Sequence, residues 1–261
     1  MPAQSRASPV PLLLTRPEPQ AADFARQLTA RFGDQIRIIP TPLLAPRFYS
    51  PALPDGLFAG LILTSQTGVA AYLQLDMEWR ALPRIVHCVG ARTADAAQAA
   101  GLRPVSIAPD ATRLIADIKA QGTRGRLLHL RGREARGDIA AKLNFAEIDT
   151  VEAVIYAQEQ QALTAKAQDV LQDRSPVLVS LFSPRSAVIF AAEMARIRGI
   201  SPLFVAAMSD EVARELPTET ARISVAGTPD ADAMLICVMV LLANAARLNA
   251  AARAVLDTPA A

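Results

Sequence analysis

Residues 180–188 read SLFSPRSAV, an apolar run that ends at a Ser-Pro pair and then resumes. Serine at an N-cap followed by proline in the first helical turn is typical of a strand that leads into a helix. A second stretch, LILTSQTGV at residues 61–69, has nearly the same form. The feature occurs twice, which predicts that a larger part of the chain is duplicated.

An internal repeat supports this prediction. PLLLTRPEPQAADFARQL aligns with GRLLHLRGREARGDIAAKL, the two junctions align with each other, and HCVGARTADAAQAAGL aligns with FVAAMSDEVARELP. The aligned pairs are Arg16 with Arg131 (offset 115), Ser65 with Ser183 (offset 118) and Gly90 with Ser209 (offset 119). The small changes in offset indicate loop insertions between two copies of one unit.

Short apolar runs alternate with Ala-rich helical patterns along the whole chain. Strands that are apolar on both faces and separated by helix-length segments are typical of parallel sheets covered by helices. Ten such runs predict two five-stranded α/β domains: PLLLT, IRIIP, GLILTS, RIVHCVG, PVSIA, GRLLHL, DTVEAVIY, PVLVSLFS, PLFVAAM and ARISVAG. The Pro-rich residues 40–56 predict an extended linker between them.

The composition indicates a globular protein without a strong electrostatic field. The formal net charge is +2 in 261 residues, which argues against a general affinity for nucleic acid or an anionic membrane. Cys88 and Cys237 lie in apolar runs and are expected to be buried thiols in a reducing cytosol. The N-terminus lacks a signal-like apolar region, and the uncharged run at 233–246 is predicted to be a buried helix.

The sequence lacks the motifs of serine hydrolases, of dinucleotide-binding proteins and of metal sites. Ser183 is in L-F-S-P-R rather than G-x-S-x-G, and His87 and His129 precede it inside strand-like runs, where a buried or capping role is expected. The glycines of LRGREARGD do not form G-x-G-x-x-G, and no Cys/His/carboxylate cluster has ligand spacing. We therefore expect no cofactor and no metal.

Polar and basic residues follow the predicted strands at the starts of helices. Ser65 and Ser183 are suitable N-caps, and a purely capping role is one open interpretation. Several helix starts could instead bind a ligand with many carboxylates, since free N–H groups and the helix dipole favour anions. The arginines at or near these junctions are Arg16, Arg92, Arg131, Arg133, Arg136 and Arg185.

The ordered segments resemble the uroporphyrinogen-III synthase family, tetrapyrrole enzymes that close linear hydroxymethylbilane while inverting its last pyrrole ring. The matching segments span about residues 12–242: LLLTRPEPQAADFARQL, LILTSQTGVAAY, CVGARTADAAQAAGL, LRGREARGDIAAKL, VEAVIYAQE, LFSPRSAVIFA and VAGTPDADAML. The resemblance implies an α/β fold of two flavodoxin-like, doubly wound domains joined by a two-stranded linker, with the active site in the cleft between them. It implies that residues 1–42 and 158–261 form the first domain and 57–151 the second, with linker strands at 43–56 and 152–157.

The implied reaction is loss of the substrate hydroxyl to give a cationic azafulvene, attack at the substituted carbon of the last ring to give a spiro intermediate, and rearrangement to the type III product. By position, Tyr156 matches the linker tyrosine that assists hydroxyl departure, by hydrogen bond or as a weak general acid, so we expect it to be catalytic; a packing role in the core or linker is the open alternative. We expect the substrate to be bound by Arg16, Thr64, Ser65, Gly90, Ala91, Arg92, Arg131, Gly132, Ser183, Pro184, Arg185, Ser209 and Asp210. Where the family often has G-P-x-T-A, this chain has Val212 in place of the threonine and two carboxylates, Asp210 and Glu211, before it.

The functional hypothesis is a cytoplasmic, monomeric uroporphyrinogen-III synthase with a small-molecule substrate and no nucleic-acid or membrane partner. A second hypothesis remains open: a non-catalytic, two-lobed binding or sensor protein for a small polycarboxylate, since the same helix starts would serve it. No basic appendage that would bind DNA is visible in support of a sensor.

Overall fold

The computed structural model describes residues 8–76, 79, 81–134, 137–217 and 221–256. The chain forms two compact units: unit 1 is Met1–Ala45 with Gln160–Ala261, and unit 2 is Pro46–Glu159. In chain order the strands are β1 Val10–Leu14, β2 Ile36–Pro40, β3 Leu44–Phe48, β4 Phe58–Leu63, β5 Ile85–Val89, β6 Arg103–Ala108, β7 Arg126–Gly132, β8 Thr150–Gln160, β9 Val177–Leu181, β10 Leu203–Ala207 and β11 Ala221–Val225. Within the described ranges the helices are α1 Gln20–Phe32, α2 Gln66–Tyr72, α3 Ala91–Ala99, α4 Ala111–Ala120, α5 Ile139–Phe145, α6 Ala165–Leu171, α7 Pro184–Ile197, α8 Asp210–Arg214 and α9 Ala231–Leu256, with a 3₁₀ turn at Gly33–Gln35.

Unit 1 is built on a parallel five-stranded sheet in the order β11-β10-β9-β1-β2. All five residues of β9 and of β10 are buried, as expected for central strands covered on both faces. Alternate residues of β1 point to opposite faces. Leu12 and Leu14 pack with residues of α1 and α9, whereas Leu13 packs with residues of α6 and α7.

Unit 2 contains a six-stranded sheet in the order β3-β8-β7-β4-β5-β6. The strands from β8 to β6 run parallel. β3 runs antiparallel to β8, because the amide of Tyr49 donates to the carbonyl of Ile155 and the amide of Gln161 donates to that of Leu43. Leu61 and Leu63 pack on the α2 and α3 side, and Ile62 packs on the α4 and α5 side.

The two sheets have the same strand order once strands are matched by the sequence repeat. The repeat pairs β1 with β7, β4 with β9 and β5 with β10, and the order of strands along the chain extends this pairing to β2 with β8 and β6 with β11. Unit 1 then has the order β2-β1-β9-β10-β11, and unit 2 has the equivalent order β8-β7-β4-β5-β6. Apart from β3, each sheet therefore combines two strands from one copy of the repeat with three from the other.

The α/β class and the parallel sheets predicted from the sequence are confirmed. The number of strands read from the apolar runs is not, since β3 was not among those ten and lies in the Pro-rich segment 40–56, where only the resemblance implied a linker strand. Pro46 is tolerated in β3 because this is an edge strand, where a missing N–H does not break an internal ladder. The domain boundaries and linker strands expected from the resemblance stay a prediction.

Helix α9 contains one 18-residue window, Ala231–Leu248, that is long and apolar enough to cross a membrane by length and composition. This is weak evidence for a span, because Met234, Val238, Leu241 and Ala245 are buried in the core of unit 1. The predicted burial of the uncharged run is thus confirmed for one face of the helix. Cys88 and Cys237 are buried free thiols, as predicted.

Candidate functional site

The junction between β4 and α2 brings two of the expected site residues into contact. Ser65 has an extended backbone and caps α2, where its Oγ accepts a hydrogen bond from the amide of Gly68 at 2.9 Å. The same Oγ lies 2.9 Å from the Oη of Tyr156. Thr64 precedes Ser65 and is half-buried. The proposed catalytic tyrosine is therefore hydrogen-bonded to an N-cap hydroxyl.

Tyr156 lies on β8 at an irregularity in the sheet. The register with β7 pairs Arg131 with Val154 but Gly132 with Tyr156, so β8 has one extra residue at this point. Beyond the irregularity the amide of Arg133 donates to the carbonyl of Tyr156 at 2.9 Å. A bulge of this kind redirects a side chain, and bulges are over-represented next to active sites.

Arg131 is held by several hydrogen bonds within unit 2. Its Nη1 donates to Glu152 Oε2 at 2.6 Å, its Nε to the carbonyl of Gly132 at 3.2 Å and its Nη2 to the carbonyl of Arg133 at 3.4 Å. Glu152 also contacts Nδ1 of His129 at 3.2 Å. Burial lowers the pKa of His129, and the Glu152 carboxylate opposes this only in part. The histidine is buried as predicted, and Arg131 is tied to its own strand end.

A second group of polar side chains extends from the end of β7. Arg133 donates from Nη2 to the Oη of Tyr49 at 2.9 Å, and Arg47 on β3 contacts Glu159 on β8 at 3.2 Å. The sequence has no local signal that indicates a role in the site for Tyr49, Glu159, Glu152 or Gly68. Arg136, one of the arginines noted from the sequence, lies outside the described residues.

The neighbouring junction, from β5 to α3, presents backbone and one arginine. Gly90 has a φ of 81°, a left-handed conformation that favours glycine, and its amide donates to the carbonyl of Ala108 at 2.7 Å. Ala91 and Arg92 in the first turn of α3 are exposed. Because β5 lies beside β4, this helix start and that of α2 are at the same edge of the sheet.

In unit 1 the equivalent of the Ser65 junction is the turn from β9 to α7, and its hydroxyl is used locally. Ser183 Oγ accepts from the amide of Ser186 at 3.2 Å, and Ser186 Oγ accepts from the amide of Ser183 at 3.1 Å, which is a capping box. The two hydroxyl oxygens are 3.0 Å apart. Pro184 is at the first helical position and Arg185 is exposed. The predicted N-cap role is confirmed for both serines.

Arg16 is near this junction but packs on an aromatic ring. Its guanidinium carbon is 4.6 Å from the ring centroid of Phe182, a cation–π geometry. Phe24 contacts the same ring edge-on, with centroids 5.3 Å apart. Arg16 is half-buried. Its place beside Phe182 brings it to the strand end from which α7 begins.

The start of α8 differs from the family pattern in its side chains. Val212 is 1% exposed and belongs to the hydrophobic core of unit 1, so this position offers no hydroxyl at the helix start. The Ser209 side chain hydrogen-bonds the carboxyl of Glu211 and holds the pKa of that carboxyl below its usual value. Asp210 is exposed beside it. The groups that this turn can present to a ligand are therefore limited to its backbone, the Ser209 side chain and acidic side chains.

The described parts of the chain contain no group of three or more His, Cys, Asp or Glu side chains that could hold a metal ion. A cavity of about 570 Å³ occurs in unit 1 beside Met194, Ile200 and Leu203. It is at the amino end of β10, whereas the expected site residues follow the carboxyl ends of strands. Its lining is mainly apolar, so we assign the chemistry to the junctions rather than to this cavity.

Comparison with models of protein families assigns the chain to a family. The family model described as Uroporphyrinogen-III synthase HemD matches residues 25–236. This match covers well over half of the chain, which therefore belongs to the uroporphyrinogen-III synthase family. The assignments to a lyase of porphyrin and haem biosynthesis and to a small tetrapyrrole substrate are thus confirmed at the level of the family.

One solved structure supports the fold, and a second was found at a lower similarity. Uroporphyrinogen-III synthetase from Helicobacter pylori 26695 matches with a TM-score of 0.60 and 16% identity, over 89% of this chain and 99% of that chain. A mutant uroporphyrinogen III synthase from the extremely thermophilic bacterium Thermus thermophilus matches with a TM-score of 0.44 and 13% identity, over 90% of this chain and 99% of that one. A search of curated proteins gave no significant match.

Proposed function

We propose that this chain converts hydroxymethylbilane to uroporphyrinogen III and that Tyr156 assists the departure of the substrate hydroxyl. The observation that carries the proposal is the 2.9 Å contact between Tyr156 Oη and Ser65 Oγ. A half-buried tyrosine hydroxyl usually has a polar partner, so the location of this contact is what supports the proposal. Here the hydroxyl lies beside a helix cap at the end of a strand, where substrates of parallel α/β proteins usually bind.

The hydrogen bonds at Ser65 suggest how the phenol is oriented. A serine hydroxyl has one proton and two acceptor sites. Ser65 Oγ already accepts from the Gly68 amide, so its proton can be donated to Tyr156 Oη. The phenolic proton of Tyr156 is then available to the leaving hydroxyl of the substrate.

In the proposed step the C–O bond of the hydroxymethyl group breaks and the bonding pair leaves with the oxygen. Tyr156 donates its proton to this oxygen, so that water departs and a cationic azafulvene remains. Ser65 stabilises the phenolate that forms, because a hydrogen bond to an ionised acceptor is stronger than one to a neutral acceptor. The ring-closed product loses a proton, which can return to Tyr156.

We propose that the substrate carboxylates are bound at the helix starts within each unit. In unit 2 these are Thr64 and the Gly90, Ala91 and Arg92 turn, and in unit 1 they are the turns that begin at Ser183 and Ser209. Arg16 and Arg185 supply positive charge beside the first turn of α7, with Pro184 between Ser183 and Arg185. Ser183 orders this helix start through its capping box rather than through a hydroxyl that contacts the substrate. Asp210 is the first helical residue of the turn that begins at Ser209.

We also propose that the protein acts in the cytoplasm as a monomer, without a nucleic-acid or membrane partner. The small net charge of +2 supports this, because it gives no general attraction to polyanions. The burial of one face of α9 in unit 1 is consistent with a core helix.

The first test is product analysis with the Tyr156→Phe variant. The purified protein is given hydroxymethylbilane from a coupled source, and the type I and type III isomers are separated. We expect the wild type to give the type III isomer and Tyr156→Phe to lower kcat about 100-fold, the lower range for a general acid. KM and the unfolding midpoint should change little, because the ring remains.

Tyr49→Phe is the matched control, since it removes a tyrosine hydroxyl that accepts from Arg133 rather than one that contacts Ser65. It should keep wild-type kcat. Only the type I isomer from the wild type would refute the activity and favour a binding protein, and unchanged kcat in Tyr156→Phe would refute the role of Tyr156.

A further inference from the structure

The ring of Tyr156 lies in a slot that exists only because residue 132 is glycine. A Cβ placed on Gly132 would lie 2.7 Å from both Cε2 and Cζ of Tyr156 and 3.0 Å from its Oη. Real Cβ atoms do not approach other heavy atoms this closely. Any side chain at position 132 would therefore displace the hydroxyl end of the ring.

The requirement at Gly132 is for space rather than for an unusual backbone conformation. Seven glycines of the described chain have positive φ, and Gly132 is not one of them. An alanine could adopt the backbone of Gly132 without strain, but its methyl group would occupy the position of the ring. The hydroxyl end of the ring is therefore confined on one side by backbone.

The other edge of the ring faces Gly68. A Cβ on Gly68 would lie 3.7 Å from Cε1 of Tyr156, an ordinary contact, and 3.3 Å from Ser65 Oγ. The ring thus lies between two glycines, with the closer approach at Gly132. Moving the ring from Gly132 would change the 2.9 Å contact between Tyr156 Oη and Ser65 Oγ.

The backbone that forms the slot is itself held in place. Arg131 donates to the carbonyls of Gly132 and Arg133, and its guanidinium is bound by the Glu152 carboxylate at 2.6 Å. The Arg133 amide donates to the Tyr156 carbonyl, so β7 and β8 are also hydrogen-bonded just beyond the bulge. Arg131 and Glu152 thereby fix the segment against which the ring rests.

We infer that Gly132 is a positioning residue for catalysis, with Arg131 as its support: together they hold the Tyr156 hydroxyl where Ser65 and the leaving group of the substrate can both reach it. The inference rests on the proposed role of Tyr156. It also gives Gly132 and Arg131 a role other than direct binding of the substrate, which was the expectation from the sequence. The reason is that Gly132 lies against the ring of Tyr156, and Arg131 is bound to Glu152 on the strand that carries Tyr156.

The test is Gly132→Ala, with Gly60→Ala as the matched control. Gly60 is a strand glycine of the same sheet, and its Cβ would have ordinary contacts of 3.4 Å or more. We expect Gly132→Ala to lower kcat about 100-fold, the loss typical of a misplacement of about 1 Å, and to leave KM within about twofold. Gly60→Ala should keep wild-type kcat.

A second variant and a spectroscopic readout separate positioning from a general loss of structure. The chain has three tyrosines, so ring-labelled tyrosine gives a simple NMR spectrum. Gly132→Ala should shift the Tyr156 resonance, which is assigned by its absence in Tyr156→Phe. Arg131→Lys should shift the same resonance and lower kcat about tenfold, because lysine lacks the fork that reaches both carbonyls.

The combination with Tyr156→Phe decides whether Gly132 acts through the tyrosine. If it does, adding Gly132→Ala to Tyr156→Phe should cost little further activity. A full additional 100-fold loss, or an unshifted Tyr156 resonance in Gly132→Ala, would overturn the inference. If Gly132→Ala alone does not fold, Gly132→Ala/Tyr156→Ala should fold because the clash is gone, and failure of this double variant would also overturn it.

The two proposals fail in different ways. Normal kcat in Tyr156→Phe would refute the catalytic role of the tyrosine, and with it the catalytic purpose of the slot. A shifted resonance in Gly132→Ala would then still support the packing of the ring against Gly132. Loss of kcat in Tyr156→Phe, with no effect of Gly132→Ala on either kcat or the resonance, would refute the positioning role alone.

Discussion

The two strand-to-helix junctions at Ser65 and Ser183 are copies of one another in sequence, but their hydroxyl groups have different partners. Each serine caps its helix by accepting from the amide three residues later. In unit 1 that residue is Ser186, whose side chain completes a capping box. In unit 2 it is Gly68, which has no side chain, and Ser65 contacts Tyr156 instead. The identity of the third residue after the cap thus distinguishes the structural junction from the candidate catalytic one.

This difference has a simple physical cause. A hydroxyl that accepts from a backbone amide still has a proton to donate. At Ser183 the neighbouring hydroxyl of Ser186 is 3.0 Å away and can accept it. At Ser65 the equivalent helix position is Gly68, which has no hydroxyl, so the proton can be directed to the phenol. Gly68 also leaves room beside the ring.

The largest effect that separates the junctions is expected from matched Ser65→Ala and Ser183→Ala variants. Both should lose about 1 kcal/mol of unfolding free energy, the usual cost of removing an N-cap. Ser65→Ala should also lower kcat about tenfold, because it removes the hydrogen bond to Tyr156, worth about 1.4 kcal/mol. Turnover assays and denaturant unfolding of both proteins check this. Equal losses of kcat would show that the two junctions act alike.

The caps could be predicted from the sequence because capping depends on neighbouring residues. The α/β class could be predicted because apolar runs alternate with helical patterns along the chain. The Ser65–Tyr156 contact joins residues 91 positions apart, and it was not predicted: the resemblance to a family indicated both residues but not their hydrogen bond. The engagement of Arg131 by Glu152 could not be predicted, since an arginine after a strand looks the same whether it faces solvent or a carboxylate. β3 was not among the apolar runs, because prolines hide an edge strand from propensity arguments, and only the resemblance implied a linker strand in that segment.

A smaller effect is expected when the capping box is moved from one junction to the other. Gly68→Ser gives the α2 junction the residue found in α7, so the new hydroxyl should compete with Tyr156 for Ser65. We expect kcat to fall about fivefold, since a competed hydrogen bond is weakened rather than lost. The reciprocal Ser186→Gly should leave kcat unchanged and lower the unfolding free energy by about 1 kcal/mol, the cost of a helical glycine. A Gly68→Ser enzyme with wild-type kcat would show that Ser65 does not donate its proton to Tyr156.

The smallest expected difference between the units is in their response to acid. Burial lowers the pKa of His87 and of His129 in unit 2 from the usual 6.5. Burial favours the neutral form of each histidine in the folded state, so their contribution is complete above pH 6.5 and is lost as the pH falls below it. In unit 1 the hydrogen bond from Arg196, with help from the Leu163 amide, lowers the pKa of Glu193 from 4.5. Its contribution is complete above pH 4.5 and is lost as the pH falls through the lowered value.

Unit 2 should therefore lose stability at a higher pH than unit 1. Trp79 is the single tryptophan of the chain and is buried in unit 2, where its Nε1 donates to the carbonyl of Pro51, so its fluorescence reports this unit. We expect the fluorescence midpoint in urea to fall between about pH 7 and pH 5, while the mean transition followed by circular dichroism changes less. His87→Gln/His129→Gln removes both titrating groups and should flatten this dependence, even if it lowers stability at every pH. A fluorescence midpoint that falls only below pH 4.5 would show that carboxylates, and not the two histidines, control the stability of unit 2.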